Sequence, residues 1–214
     1  MADNFSSHTV AWAGSNDPAA PLVVLLHGRG ADQADIVALA DFLPDGPMYA
    51  AVRGPIHADI GYTWFENRGA GRPIVESLRS TMEWFRSWLE ENAPAARSVL
   101  LIGFSAGAAF AGALILDQPE RYLGAAILSG TLPFDAGIPV TPGRLSGKSM
   151  LVSQGEADQV IPRELLDRTW NYLIDDSGAE TLTSKDPGGH NISLDALAAL
   201  REWISTSLSF PATS

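Results

Sequence analysis

The chain has no cysteine. A disulfide framework, a thiolate nucleophile and a cysteine-ligated zinc site are all excluded, whatever the compartment. It is also short of positive charge. Fourteen lysines and arginines stand against 25 aspartates and glutamates, a net charge of −11, and so acidic a body is repelled by nucleic-acid phosphates and anionic lipid surfaces. Repeats, linkers and low-complexity tracts are lacking, so residues 1–214 are expected to form one domain. The opening Met1-Ala2-Asp3-Asn4-Phe5 lacks the basic residues and apolar block of a secretory signal, which makes the cytoplasm the expected location.

What the chain does have is a 46% hydrophobic, 18% charged composition typical of a globular core. Residues 99–116 are without charge, barely the length of a membrane span. Two features argue against a span. Val99-Leu100-Leu101-Ile102 is an aliphatic run of strand length that Gly103 interrupts, and the flanks, Arg97 and Asp117, supply no basic cluster. At the centre lies Gly103-Phe104-Ser105-Ala106-Gly107. A serine on a tight turn between a strand and a helix projects its hydroxyl outward, and flanking glycines relieve the crowding of that turn.

Other apolar runs, at residues 21–26, 48–52, 98–102, 124–128, 149–153 and 179–183, have strand length and end at turn residues. Helical spacing is predicted from about Asp32 through Leu43, over 75–92 (Leu78, Met82, Phe85, Leu89), from Ala106 onward, and over 162–175 and 194–207. Residues 53–73 read as a long Gly-rich loop. Alternating strands and helices predict an α/β fold with a mostly parallel sheet covered on both faces. The 130–149 connection, stiffened by Pro133, Pro139 and Pro142, is too short for a separate cap domain.

A serine hydroxyl needs a base, most often an imidazole. Of His8, His27, His57 and His190, only His190 follows Ser105, and the chain order of this arrangement is serine, acid, histidine. His190 stands in the Gly-rich segment "DPGGHNIS". Asp158, in "GEADQVIP", is the preferred acid because it falls just past a strand end, where α/β sheets build sites. Glu156, Asp135 and Asp186 are its rivals. The turn "LLHGRG" can aim the Arg29 backbone N–H at a developing oxyanion, with the Ala106 N–H as second donor. His27 is expected to brace that turn by hydrogen bonds.

Together "LLHGRG", "TWFE", "GFSAGA", "LSGTLP", "GEADQVIP" and "GGHNIS" resemble, in order and spacing, the phospholipase/carboxylesterase group of α/β-hydrolases, which includes acyl-protein thioesterases. The resemblance runs from about Pro21 to Ser207. It implies a Ser105–Asp158–His190 triad, oxyanion amides at Arg29 and Ala106, and an acyl pocket lined by Trp64, Phe65, Leu132, Pro133 and Phe134. It implies a small-molecule ester as substrate, with thioesters and lysophospholipids as variants, and neither cofactor nor metal; the lack of room for a cap domain predicts an open site suited to short or medium acyl groups. The chain departs from many relatives in carrying Ala106 where they have Gln, and Glu66 where they have Asp. Two other readings use the same residues: an acyltransferase or perhydrolase, and a non-catalytic binding protein on a hydrolase fold.

Overall fold

The computed structural model describes Phe5 and residues 7–209; residues 1–4, where the signal reading falls, lie outside the described residues. In chain order the elements are β1 (Val10–Gly14), β2 (Leu22–Leu26), α1 (Gln33–Val37), β3 (Met48–Val52), β4 (Ile56–His57), β5 (Tyr62–Thr63) and α2 (Val75–Asn92). There follow β6 (Val99–Phe104), α3 (Ala106–Asp117), β7 (Gly124–Leu128), β8 (Ser149–Gly155), α4 (Arg163–Asn171), β9 (Glu180–Asp186) and α5 (Leu194–Ser209). Seven strands form one sheet in the order β1-β3-β2-β6-β7-β8-β9. Within this sheet only the β1–β3 pair is antiparallel.

Both faces of the sheet are apolar, and the period-two alternation of a strand divides each run between them. Leu22, Val24 and Leu26 of β2 join Leu101, Leu78, Phe85 and Phe110 on the side of α2 and α3. Val23 and Leu25 join Ile102, Leu128, Ile36, Leu200 and Trp203 on the side of α1 and α5. The 99–116 run is thus a central strand followed by a helix buried from Gly107 to Leu116. Among the described residues no helix is long and apolar enough to cross a membrane.

The sequence reading missed three elements. β1 pairs only with β3, is partly exposed along its length, and leaves Trp12 47% exposed, so it lacks the continuous apolar run of a central strand. The two-residue strands β4 and β5 form an antiparallel pair inside the expected 53–73 loop. The helix after Asp32 is short. Asp32 caps it through Ala34 and Asp35, but the chain tightens into a 3-10 turn at Ala38–Phe42. α4 likewise passes into a π-helical turn at Tyr172–Asp176. Between β7 and β8, residues 129–148 form loops and turns only.

Candidate active site

Ser105 sits between β6 and α3 with φ 55° and ψ −115°, a backbone region that L side chains rarely enter. The surroundings hold it there. Its N–H donates to the Leu128 carbonyl (3.0 Å), and its own carbonyl accepts from Ala108 (3.0 Å) and Ala109 (3.3 Å). The two glycines make the turn possible through close approach. A Cβ on Gly103 would strike the Gly107 carbonyl, and a Cβ on Gly107 would strike the Leu26 carbonyl of β2.

The chain-order partners meet at this turn. His190 Nε2 lies 2.9 Å from Ser105 Oγ, and His190 Nδ1 lies 2.8 Å from Asp158 Oδ2. An ionised carboxylate only accepts, so Nδ1 carries the proton; Nε2 is left with its lone pair towards Ser105, whose hydroxyl donates to it. The Asp158 side chain is fully buried. Burial would raise its carboxyl, but the hydrogen bond with His190, the N–H groups of Ile161 and Val160, and the imidazole's charge together hold it below its ordinary value. Those two amides bind Oδ1 at 3.1 and 2.8 Å, leaving Oδ2 for the imidazole.

The rival acids take other places. Glu156 and Asp135 are exposed. Asp186 is buried and closes the segment that carries His190: Oδ1 accepts from Gly188 N–H (2.7 Å), and Oδ2 from the Ser193 hydroxyl (2.8 Å). Across the same segment Ala157 N–H donates to the Gly188 carbonyl at 2.9 Å.

Above Ser105 opens a cavity of about 610 Å³, within the size range of small-molecule sites. Arg29 and Ala106 line it, and neither backbone amide has an acceptor among the described residues. Phe65, Phe104, Ala109, Val160 and Ile161 give it apolar walls. One side is a small hairpin, residues 67–73, whose base is the Asn67–Pro73 bridge and whose turn brings Gly69, Ala70 and Gly71 to the cavity. Val160 and Ile161 could have been suspected from their place beside Asp158; the hairpin gave no sequence signal beyond its glycines.

Of the expected acyl-pocket residues only Phe65 lines the cavity. Trp64 is a core residue. Its Nε1–H donates to the His27 carbonyl at 2.8 Å, and its ring stacks on Phe110 at 4.6 Å. Leu132 is buried against Gly112 of α3, and its N–H donates to Thr169 Oγ1 at 3.0 Å. Phe134 packs on Ile161, Leu165 and Leu166, with the Arg168 guanidinium 3.9 Å above its ring. Of these three, Phe134 packs against a residue that lines the cavity, Ile161. Pro133 is buried too.

His27 is fully buried. Its Nε2 accepts from Gly54 N–H at 2.9 Å, so Nδ1 is the protonated nitrogen and donates to the Gly28 carbonyl at 2.7 Å. Burial holds this imidazole below its ordinary pKa, and a neutral His27 ties the Arg29 turn to β3's end. Elsewhere His8 stacks on Trp84, and His57 is exposed. Among the described residues no group of three His, Asp or Glu side chains could hold a metal.

A family model described as Phospholipase/Carboxylesterase matches residues 9–208. A carboxylesterase structure from Mesorhizobium loti is 27% identical, covers 86% of this chain and 88% of its own, and superposes with a TM-score of 0.76. The Bacillus cereus carboxylesterase is 21% identical over 94% of both chains, with a TM-score of 0.81. Zea mays acyl-protein thioesterase 2 is 19% identical over 94% of this chain and 99% of that one, with a TM-score of 0.73. These last two likenesses concern the fold.

Proposed function

Because this chain belongs to the phospholipase/carboxylesterase family of esterase-type hydrolases, we propose that it is a serine carboxylesterase cleaving short- to medium-chain carboxylic esters through an acyl-enzyme. The observation that carries the reading is the continuous hydrogen-bonded line from Asp158 through His190 to Ser105, at 2.8 and 2.9 Å. No other acid or imidazole among the described residues stands in this relation to Ser105.

In the proposed cycle His190 Nε2 takes the Ser105 proton as Oγ attacks the ester carbonyl. The tetrahedral oxyanion is held by the Arg29 and Ala106 N–H groups, which have no other acceptor. The imidazolium, paired with Asp158, gives its proton to the leaving alcohol or thiol, and the acyl group stays on Oγ. Water, deprotonated by His190, then frees the acid. The apolar walls suit an acyl chain. The exposed Arg29 guanidinium, with no carboxylate partner among the described residues, is available to an anionic part of the substrate.

A common-intermediate test decides the matter. Phenyl butyrate and p-nitrophenyl butyrate, hydrolysed with added methanol, are expected to yield butyrate and methyl butyrate in one ratio, because both pass through the same butyryl-enzyme. Butyrate is expected to dominate at low methanol. A ratio that follows the leaving group contradicts the acyl-enzyme. Methyl butyrate in excess at low methanol makes the protein an acyltransferase, and no turnover of either ester makes it a binding protein.

A further inference from the structure

Among the described residues two that are not glycine hold positive φ: Ser105 at 55° and Ser129 at 44°. The first is the nucleophile of the proposed mechanism. The second directly follows β7, is 2% exposed, and does not line the cavity. Glycine would take this backbone conformation without strain, so what the serine adds is its hydroxyl. That hydroxyl donates to the carbonyl of Asn191 at 2.9 Å, the residue after His190. The Ser129 N–H is fixed in turn by the Ser153 carbonyl of β8 at 2.8 Å.

The neighbouring residue completes the arrangement, since the Leu128 carbonyl receives the Ser105 N–H at 3.0 Å. One dipeptide at the end of β7 therefore holds the nucleophile turn with one residue and the histidine segment with the next. Asp186 grips that segment on either side, at Gly188 and Ser193; Ser129 grips it beside His190 itself. We propose that Ser129 is a positioning residue whose strained, buried hydroxyl sets the separation of His190 Nε2 from Ser105 Oγ. The inference rests on the catalytic reading of Ser105 and His190.

The test uses Ser129→Ala, which keeps the strain and loses the hydroxyl, and Ser129→Gly, which loses both. Both are expected to lower kcat for p-nitrophenyl butyrate about tenfold, the worth of one hydrogen bond in the reacting geometry, with KM within about twofold because no cavity wall is touched. Ser129→Gly is expected to lose kcat while its Tm stays at or above that of the wild type. A purely structural role would make activity follow Tm. A kcat within about twofold of wild type in Ser129→Gly overturns the proposal, and so does a rise in KM that accounts for the whole loss. Ser105→Ala, measured in parallel, separates the two ideas: full activity there overturns the catalytic reading, whereas an inactive Ser105→Ala beside a fully active Ser129→Gly overturns the positioning role alone.

Discussion

Replacing Ser105 by alanine is expected to lower kcat/KM for p-nitrophenyl butyrate by about 10⁴- to 10⁶-fold, the range seen when the nucleophile of a serine triad is removed. The fold gives this variant little reason to lose stability. Alanine keeps the Cβ, so the strain at φ 55° is neither added nor relieved. The bonds that hold the turn, from Ser105 N–H to Leu128 and from Ala108 and Ala109 to the Ser105 carbonyl, are all backbone. Near-native Tm with lost turnover is the expected pairing, read by thermal denaturation beside the ester assay. What rate remains is expected from the cavity and the two amides proposed to hold the oxyanion.

Asp158→Asn is expected to cost about 10⁴-fold in kcat, because it puts the wrong tautomer on His190. The local bonding decides this. Oδ1 is held by the N–H groups of Val160 and Ile161, so the amide oxygen of the variant stays there and its NH₂ turns to His190 Nδ1. A donor at that position makes Nδ1 the acceptor and moves the ring proton to Nε2, facing Ser105 Oγ. The base is then blocked although every heavy atom keeps its place. The variant has a second signature. In the wild type the Asp158 carboxyl is held below its ordinary pKa, so the folded state binds this proton less readily than the unfolded one. Its contribution to stability is full above the ordinary carboxylate range and is lost as pH falls through the lowered value. The Asp158→Asn protein lacks that part of the acid-induced loss, and urea unfolding between pH 3 and 7 measures it.

The sheet was readable because strands buried on both faces are continuous aliphatic runs, as in Leu22–Leu26 and Val99–Phe104. β1 was not, since an edge strand with one neighbour carries a diluted pattern. Ser105 stood out through local constraint: a strand, two glycines that admit close backbone approach, and a small-residue helix all act within a few residues of it. His190 followed from chain order. Asp158 was harder to separate from its rivals, Glu156 two residues before it and, less strongly, Asp135 and Asp186, because acids near strand ends carry no local mark of their partner. The assignment turns on which carboxylate faces an imidazole, a fact of tertiary packing. The same holds for Trp64, whose aromatic character suits a pocket wall and a core equally; its indole N–H finds the buried His27 carbonyl. The 67–73 hairpin is closed by local bonds that its glycines alone do not announce, whereas the strain at Ser129 goes with partners far along the chain, Ser153 and Asn191.

The central claim is that Ser105 is the one activated nucleophile, made so by His190. Exposing the protein to a fluorophosphonate and locating the adduct by peptide mass spectrometry tests it most directly. The account predicts one adduct per chain, on Ser105, formed about 10²-fold or more slowly in His190→Ala. An adduct on any other residue, or none while p-nitrophenyl butyrate is still being hydrolysed, would contradict it.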